Sequence, residues 1–498
     1  MNISLVNNKS VSPTANLIIA AYSRKEFLLH PLFKSLTMTD RAYLESALAD
    51  FKWSDKDSGV FNLPSQPQRK IIILGLGEKN KWHKRKMFLT IRKVVSMLKN
   101  HRLAGATINS ADFFIKATSP TETLSLIAQN ILLADFTFND YKEKPKNGWP
   151  EIKEISIVGR PSKQLQRALD EGIIIGQATN DCRYLSNMPG GLMTPQKLAQ
   201  EAINIGKTIK AVKVNVLHEK EIKKLGMGGV IGVSQGSIEK PEFIIMEYSS
   251  AKARKNNREH PLIFVGKGVT FDTGGLNLKS TNGIYEMHMD MSGGAAVIHA
   301  IEAIAKLKLP IRVIGIIPAV ENMPSGSSYH PGDLLKTITG KTIEVLNTDA
   351  EGRIILADAL GYAQKYKPSL MIDLATLTGA VVVALGQRMS GLFANQTNLL
   401  KLGQNIGDRT GDFVWPLPLW DEYEEEIRGT FGDVANDHKT NYGGAIIGAI
   451  FLKQFVGNFP WMHLDISPTM TTIDGQFLAK GAAGAGVRFL VEIARGHG

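Results

Sequence analysis

Short apolar runs rich in isoleucine and valine recur along this chain, and they constrain its fold more than any other feature. They are IIILGL from residue 71, ISIVG from 155, FIIMEY from 243, LIFVG from 262, RVIGIIPAV from 312 and LMIDLATL from 370. Helix-like stretches such as residues 293–309 and 352–366 lie between the later runs. Strands that alternate with helices predict an α/β architecture whose sheets are covered on both faces.

The length of the chain predicts more than one domain, since 498 residues exceed what one hydrophobic core normally organises. The polar stretch NDYKEKPKNGWPEIKE, residues 139–154, interrupts the apolar pattern, and a helix-like stretch follows it. We therefore predict a smaller N-terminal α/β domain over 1–160, which serves assembly or regulation, a linking helix over 161–190 and a larger α/β domain over 191–498. The larger domain is expected to hold a mixed central sheet flanked by helices.

Composition predicts a folded, soluble protein of the cytoplasm. Hydrophobic residues make up 43% of the chain and charged residues 21%, a balance typical of globular domains. No apolar run is long enough to span a bilayer, and the first residues lack the features of a signal peptide, so we expect no membrane association. The single cysteine, Cys182, excludes an internal disulfide and is typical of a reducing compartment.

The chain is basic, with a formal net charge of +11. Its densest cluster of lysine and arginine is KNKWHKRK, residues 79–86, and a second is KARKNNREH, residues 252–260. Neither cluster is interleaved with several aromatic residues, so a solvated basic surface is favoured over one that binds nucleic acid. A basic DNA-binding protein with secondary peptidase activity stays an alternative.

Three segments of the C-terminal half carry ionisable residues beside glycines and strand ends. The first, VGKGVTFDTGGLNLKS from residue 265, places Lys267, Asp272 and Lys279 directly after an apolar strand. The second is YEMHMDMSGGAA from residue 285. Its alternation predicts His288 and Asp290 on one side of an extended backbone and three methionines on the other.

The third segment, NTDAEGRIILADAL from residue 347, places Asp349, Glu351 and Arg353 at alternate positions before a helix-like run. Side chains two residues apart share one side of an extended backbone, so this spacing predicts that both carboxylates and the guanidinium point into the same space. Carboxylates crowded in this way raise one another's pKa unless positive charge lies between them.

If the three segments converge, four carboxylates meet, which are those of Asp272, Asp290, Asp349 and Glu351. Two divalent metal ions would balance their charge, and oxygen ligands without a cysteine cluster suit Zn²⁺, Mn²⁺ or Mg²⁺. The spacing alone leaves a simpler interpretation open, in which each acid is an ordinary turn or helix-cap residue.

Seven motifs occur in the order VGKGVTFDTGGLNLK, MDMSGGAA, VENMPSG, PGD, NTDAEGR, DLATLTGA and HLDI. Together they resemble the leucyl aminopeptidase family, also called the cytosol aminopeptidase family. The likeness runs from about residue 185 to the C-terminus and is weak in the N-terminal third. It implies a metallopeptidase domain that releases the N-terminal residue of short peptides, leucine or another apolar residue being expected.

The resemblance implies metal ligands at five positions, Lys267, Asp272, Asp290, Asp349 and Glu351. Asp272 and Glu351 are implied to touch both metals, and Asp349 to complete one site. Lys267 and Asp290 are implied to complete the other site. The implied cofactors are two divalent ions, Mn²⁺ or Zn²⁺ with Mg²⁺ as a further candidate, and bicarbonate.

The resemblance also implies catalytic roles for Lys279, which polarises the scissile carbonyl, and for Arg353, which holds bicarbonate as the general base. Six residues are implied to bind substrate, namely Met287, Asn347, Thr376, Leu377, Gly379 and Ser467. Members of the family assemble as homohexamers with enclosed active sites, so the same assembly is implied here.

Two departures from the family pattern lie at position 288 and in the HLDI segment. His288 stands where Lys or Arg is usual, and Ser467–Pro468 stand where Ala-Gly is usual. An indirect or surface role for His288 is favoured over a metal-ligand role, and the altered segment leaves the preferred N-terminal residue open. GVSQG, residues 232–236, matches a Gly-x-Ser-x-Gly nucleophile elbow, so a serine hydrolase that uses Ser234 is a minor alternative.

Overall fold

The fold is known from a computed structural model that describes residues 1–116, 118–251, 253, 260–438, 440 and 442–497. The basic stretch 252–260 therefore lies outside the described residues, apart from Ala253 and His260. The chain divides into two compact units, residues 1–177 with 474–479 and residues 178–473 with 480–498. The boundary between residues 177 and 178 lies within the helix Lys163–Ser186.

Within the described part of the first unit, six strands form one sheet in the order β1-β6-β5-β2-β4-β3. Neighbouring strands are parallel except for β3 and β4, which are antiparallel. The strands are β1 Asn2–Val6, β2 Leu17–Ala21, β3 Ser58–Leu63, β4 Gln66–Gly75, β5 Gly105–Asn109 and β6 Glu154–Val158. The main helices are Arg24–Leu29, Pro31–Lys34, Met38–Ala47, Lys84–Asn100 and Pro120–Asp135.

Two neighbouring inner strands of this sheet, β2 and β4, carry buried apolar runs. All five residues of β2 are buried, and β4 ends in the buried run IIILG. Leu17 and Ile73 pack with Phe27, Phe33 and Trp53 in one hydrophobic core. Parallel strands covered on both faces favour such continuous runs, which is why residues 71–75 carry no alternation.

The second unit contains a nine-stranded sheet, counted over its described residues, in the order β16-β15-β18-β14-β9-β11-β8-β7, with β10 paired to β11. A small sheet has the order β12-β13-β17. The strands are β7 Val212–His218, β8 Glu242–Ser249, β9 Leu262–Gly266, β10 Gly268–Asp272, β11 Arg312–Asn322, β12 Leu334–Lys336, β13 Thr342–Glu344, β14 Leu370–Ala375, β15 Ser390–Ala394, β16 Val414–Pro416, β17 Val434–Ala435 and β18 Trp461–Asp465. The helices include Pro195–Thr208, Glu219–Lys224, Gly228–Ser234, Thr281–Ile284, Ser292–Lys306, Glu351–Ala363, Gly379–Leu385, Thr397–Thr410, Gly444–Lys453 and Val487–Gly496.

Helices cover both faces of the large sheet, as the sequence predicted. A Cβ on Gly315 of β11 would contact Ile301 in the helix Ser292–Lys306. Its neighbours Ile314 and Ile316 belong instead to the core that contains the helix Glu351–Ala363. Because successive residues of a strand face opposite sides, the two helices lie on opposite faces. The mixed sheet flanked by helices is therefore confirmed.

Gly293 allows the helix Ser292–Lys306 to begin directly against the sheet. A Cβ at this position would lie 2.2 Å from the carbonyl oxygen of Leu374 in β14, so a larger residue would force the helix away. The next residue, Gly294, donates its N–H to the carbonyl oxygen of Lys267 at 2.7 Å. This close approach places Asp290, just before the helix, beside Lys267, just after β9.

Two expectations of extended backbone are wrong. Residues Met287–Met289 form a 3₁₀ helix, and the helix Glu351–Ala363 begins at Glu351 itself. The apolar residues after Arg353 are buried as a helix, and an acidic residue in the first helical turn is stabilised by the helix dipole. The alternation of residue types at 287–291 and 349–353 therefore belongs to turns that lead into helices. In a helix, side chains two residues apart do not lie on the same side.

None of the described helices combines the length and the apolar character that a membrane crossing requires.

Candidate metal centre

Three buried carboxylates lie together where β9 and β10 end. Oxygen atoms of Asp272, Asp290 and Glu351 lie within 4.8 Å of one another, and none of these residues is more than 3% exposed. Asp272 ends β10, Asp290 follows the 3₁₀ helix Met287–Met289, and Glu351 begins its helix. The structure thus brings together residues from all three segments that the sequence singled out.

Lys267 lies among these acids. Its Nζ is 2.9 Å from Asp290 Oδ2 and 2.7 Å from Glu351 Oε1, and it donates to the carbonyl oxygen of Thr376 at 2.9 Å. Burial alone lowers the pKa of Lys267, but the charges of Asp290 and Glu351 outweigh burial and raise it. Its backbone N–H donates to the carbonyl oxygen of Leu374 at 3.0 Å, which ties the lysine to β14.

Lys279 joins Asp272 to Asp349. Its Nζ lies 2.8 Å from Asp272 Oδ2 and also pairs with Asp349 Oδ1. Burial lowers the pKa of Lys279, but Asp272 and Glu351 raise it by more. The Asp349 side chain is 33% exposed, so it lies nearer solvent than the three clustered acids. Burial nevertheless raises its pKa, against the effect of Lys279.

The site carries more negative than positive charge. Four carboxylates face the two ammonium groups of Lys267 and Lys279, and burial raises the pKa of both Asp290 and Glu351. Asp290 Oδ2, Asp349 Oδ1 and Glu351 Oε1 are buried and accept no well-formed hydrogen bond from any described residue, although each lies at ion-pair distance from a lysine. Buried acceptors normally have partners. This surplus of buried oxygen ligands fits divalent metal ions.

Two neutral side chains orient the clustered acids. Asn322 Nδ2 donates to Asp272 Oδ1 at 2.9 Å, and Thr376 Oγ1 donates to Asp290 Oδ1 at 2.6 Å. Such bonds hold ligand oxygens in place and are characteristic of metal sites. Thr376 was expected to bind substrate, whereas no role was expected for Asn322. The signal for Asn322 was its place in the motif VENMPSG, at the end of the strand beside Asp272.

Arg353 is held by Asn436 and Asp437, two residues to which the sequence motifs gave no role. Its Nη1 donates to the carbonyl oxygen of Asn436 at 2.7 Å and lies 3.8 Å from Asp437 Oδ1. Burial lowers the pKa of Arg353. Its Nε is buried without an acceptor among the described residues. Asn436 is fully buried and accepts the N–H of Leu346 at 2.7 Å, so it also fixes the start of the NTDAEGR segment.

The six expected substrate-binding residues do not share one set of contacts. Leu377 and Ser467 surround Asp465: the Leu377 N–H donates to Asp465 Oδ1 at 3.2 Å, and Ser467 Oγ donates to the same oxygen at 2.7 Å. Asn347 instead donates from Nδ2 to Asp437 Oδ2 at 2.8 Å. Thr376 contacts Asp290, as described above, whereas Met287 is half-buried and Gly379 is an exposed residue at the start of its helix.

Ser234 does not occupy a nucleophile elbow. It is the last residue of the helix Gly228–Ser234, is 5% exposed, and donates from Oγ to the carbonyl oxygen of Ile231 at 3.1 Å. The glycine-rich segment is helical because Val230 and Val233 are buried in the main core. An elbow requires a strand, a sharp turn and an exposed hydroxyl, so the serine hydrolase alternative is wrong.

His288 is half-buried on the 3₁₀ helix Met287–Met289, and burial lowers its pKa. Among the described residues, His288 does not belong to the group of potential metal ligands formed by Asp272, Asp290 and Glu351.

Comparison with known proteins decides the family. Residues 180–491 match the family described as "Cytosol aminopeptidase family, catalytic domain", and residues 42–145 match its N-terminal domain. The chain belongs to the cytosol aminopeptidase family. It is therefore a peptidase, and the resemblance noted in the sequence is confirmed.

Relatives match this family member over nearly their whole length. The probable cytosol aminopeptidase of Geobacter sulfurreducens is 39% identical over 473 residues, which cover 93% of this chain and 94% of the relative. That of Roseiflexus castenholzii is 36% identical, with 99% of each chain covered. Among solved structures, the bottromycin maturation enzyme BotP in complex with Mn is similar with a TM-score of 0.84 at 26% identity, covering 97% of this chain and 99% of BotP.

Proposed function

We propose that this aminopeptidase uses two metal ions to release the N-terminal residue, leucine or another apolar one, from short peptides. The observation that carries the proposal is the group formed by Asp272, Asp290 and Glu351, whose oxygen atoms lie within 4.8 Å of one another beside Lys267. Buried negative charge in such excess is stable when a divalent cation neutralises it. The manganese in the BotP structure supports the choice of a divalent metal.

Five residues would hold the two ions, namely Lys267, Asp272, Asp290, Asp349 and Glu351. Asp272 and Glu351 would touch both ions, Asp349 would complete one site, and Asp290 with Lys267 the other. An ammonium group has no lone pair, so Lys267 can act as a ligand only as a neutral amine. Mn²⁺ and Zn²⁺ are the favoured ions, with Mg²⁺ as a further candidate.

The residues of the chain have distinct tasks in the proposed reaction. Two bound divalent ions would activate water at neutral pH and polarise the scissile carbonyl. Lys279, a cation with an 18% exposed side chain, would donate to the carbonyl oxygen as negative charge develops there. Leu377 and Ser467 would line the pocket for the first side chain, together with Met287, Asn347, Thr376 and Gly379.

Arg353 would hold a bicarbonate ion. Its buried Nε has no acceptor among the residues described, so an oxyanion would supply the missing partner. The bond from Nη1 to Asn436 keeps the guanidinium in one orientation. Bicarbonate bound there would supply a general base for the attacking water.

A cytoplasmic homohexamer completes the proposal, on the support of family membership and of relatives named cytosol aminopeptidases. Light scattering of the purified 54.5 kDa chain measures the assembly directly. A mass of six subunits is expected, and a monomeric mass would contradict this part of the proposal.

The central experiment compares metal-stripped protein with protein reloaded with Mn²⁺, Zn²⁺ or Mg²⁺ on a panel of aminoacyl amides. Stripped protein should be inactive, and reloading should restore activity on leucyl and other apolar amides. The second arm compares a free peptide with the same peptide acetylated at its N-terminus, since the free α-amine is the expected recognition group. Equal cleavage of both peptides, or full activity without metal, would overturn the proposal.

A further inference from the structure

A separate cavity lies in the first unit and has a basic lining. Its volume is about 600 Å³. Four lysines line it, Lys52, Lys79, Lys81 and Lys86, together with the two acids Asp55 and Glu78, which leaves a surplus of two positive charges. Three of these lysines come from the cluster KNKWHKRK that the sequence singled out. In the folded protein this cluster therefore surrounds a concave site.

The cavity lies beyond the carboxyl ends of two neighbouring strands. β2 and β4 are neighbouring parallel strands. Ligands of open α/β sheets bind outside the carboxyl ends of the strands. Tyr22, which follows β2, and Gly77, which follows β4, both line the cavity.

Two of the lysines around the cavity, Lys79 and Lys81, are held only weakly by neighbouring acids. Lys79 lies 3.3 Å from Glu26, and Lys81 lies 2.6 Å from Glu78, with every one of these side chains at least 43% exposed. Exposed pairs of this kind contribute at most about 1 kcal/mol. Lys52 pairs with no carboxylate in the described part of the chain. A doubly charged phosphate can therefore compete for these ammonium groups, because charge-assisted bonds to phosphate are strong.

The start of the helix Lys84–Asn100 adds a second anion-binding feature at the same place. Its N-cap residue, His83, makes no side-chain capping bond, and its first turn contains basic residues and no acid. Positive charge at a helix N-terminus is unfavourable by about 0.3–1 kcal/mol, and a bound anion reverses this effect. Lys86, in that first turn, faces the cavity and lies 2.8 Å from Asp55.

The segment 53–55, which also lines the cavity, is strained at Trp53. Trp53 has φ of 60°, in the left-handed region, which costs about 1–3 kcal/mol for a residue other than glycine. Its carbonyl oxygen accepts the N–H of Gly77 at 3.0 Å. A Cβ at Gly75 would lie 2.2 Å from the carbonyl oxygen of Ser54, so the two segments are in backbone contact. Strained conformations that the surrounding structure maintains are frequent at ligand sites.

We propose that this cavity binds a small phosphorylated molecule, with Lys52, Lys79 and Lys86 around the phosphate and the start of the helix Lys84–Asn100 beneath it. The volume is in the range of small-ligand sites, and the lining residues carry more positive than negative charge, which favours an anionic ligand. A small ligand fits better than a nucleic acid because the lysines converge on a concavity and Asp55 and Glu78 interrupt the basic surface. The site is independent of the metal centre and of the proposed peptidase function.

Calorimetry on the full-length protein at low salt tests the proposal with two probes, inorganic pyrophosphate and ADP. Saturable binding of either probe is expected, and tighter binding of ADP would identify an organic phosphate as the ligand class. No binding of either probe at millimolar concentration would overturn the proposal. So would binding of a DNA duplex without binding of the small probes, since that result assigns the lysines to a nucleic-acid surface.

A pair of charge-matched variants locates the binding. Lys79→Glu/Lys86→Glu should weaken the probe by at least about tenfold, as the loss of charge-assisted bonds predicts. Lys142→Glu/Lys144→Glu makes the same change of charge at exposed positions outside the cavity and should bind the probe normally. Circular dichroism and thermal melting check that both variants are folded. Equal losses in the two variants would show a general charge effect and refute the site, and unchanged binding in the cavity variant would refute it as well.

Discussion

Lys267 passes so close to Gly352 that a Cβ at that glycine would lie 2.5 Å from Lys267 Cε and 2.6 Å from its Nζ. The lysine crosses the first turn of the helix Glu351–Ala363 at the one residue without a side chain, and so reaches both Asp290 and Glu351. This contact explains the glycine between Glu351 and Arg353: the helix and the lysine occupy adjoining space.

The first prediction concerns this contact. Gly352→Ala should displace Lys267 and lower both the metal content and kcat, by about 10- to 100-fold as for other groups that orient ligands. The helix itself should tolerate the change, because alanine is favoured over glycine in helices by about 1 kcal/mol. Metal analysis and steady-state kinetics measure the effect.

The matched control is Gly326→Ala, since a Cβ at Gly326 meets no atom within 4 Å. This variant should keep full activity. Wild-type metal content and turnover in Gly352→Ala would show that the close approach has no functional consequence.

The second prediction separates a ligand role for Lys267 from ion pairing. Lys267→Arg keeps a positive charge beside Asp290 and Glu351, but a guanidinium stays protonated and cannot bind a metal. One metal ion per subunit should therefore be lost or weakened while the protein stays folded, as metal titration and circular dichroism can show. An arginine variant that holds two tight metals at full activity would leave Lys267 as a salt-bridging residue only.

The third prediction tests Glu351 as a ligand of both ions. Glu351→Gln preserves the volume but removes one negative charge, so metal content should fall and kcat should drop by about a hundredfold or more. Glu45→Gln, the same change at an exposed position of the helix Met38–Ala47, is the control and should retain metal and turnover. Identical metal stoichiometry in both variants would exclude the bridging role.

The fourth prediction distinguishes Arg353 from the ligands. Its partners are Asn436 and Asp437, and none of the three clustered carboxylates lies within ion-pair distance. Arg353→Ala should therefore retain metal yet turn over slowly, because the anion site is lost. Added bicarbonate should restore part of the activity. Metal loss as large as in Glu351→Gln would contradict an anion-holding role.

The fifth prediction is a pH dependence of stability at Glu302. Burial alone would raise the pKa of this carboxyl, but hydrogen bonds from His299 Nδ1 at 2.8 Å and from Lys306 Nζ at 2.6 Å lower it from 4.5 to about 2. A carboxyl whose folded-state pKa is depressed stabilises the protein above its unfolded pKa, and this stabilisation is lost as the pH falls toward the folded value.

Glu302→Gln should therefore reduce the free energy of unfolding at pH 6, by about 3 kcal/mol if the whole shift is expressed. The difference from wild type should shrink between pH 4.5 and pH 2. Urea unfolding at pH 6, 4 and 3 measures it. A difference that stays constant over this range would show that the ion pairs at Glu302 do not contribute.

Much of the fold followed from the chain alone. Each of the runs that begin at residues 71, 155, 243, 262, 312 and 370 contains a strand, because strands buried on both faces of a covered sheet favour unbroken apolar sequence. The carboxylates of the site could also be predicted from the sequence. Acids placed beside glycines at strand ends are expected to be buried, and a buried carboxylate costs free energy unless a cation lies nearby. Asn436 escaped detection because a buried amide among short polar residues has no distinctive spacing.

The sequence by itself determined the α/β class, the family and the acidic residues that the three segments bring together, since apolar periodicity and residue type are local properties of the chain. Only the tertiary structure decided which lysine meets which acid, that Asn322 and Thr376 orient Asp272 and Asp290, and that residues 287–289 and 351–353 are helical. These outcomes depend on contacts between residues tens of positions apart, such as Gly293 with Leu374 and Gly352 with Lys267. Close packing between distant segments overrides what alternation in one short segment predicts.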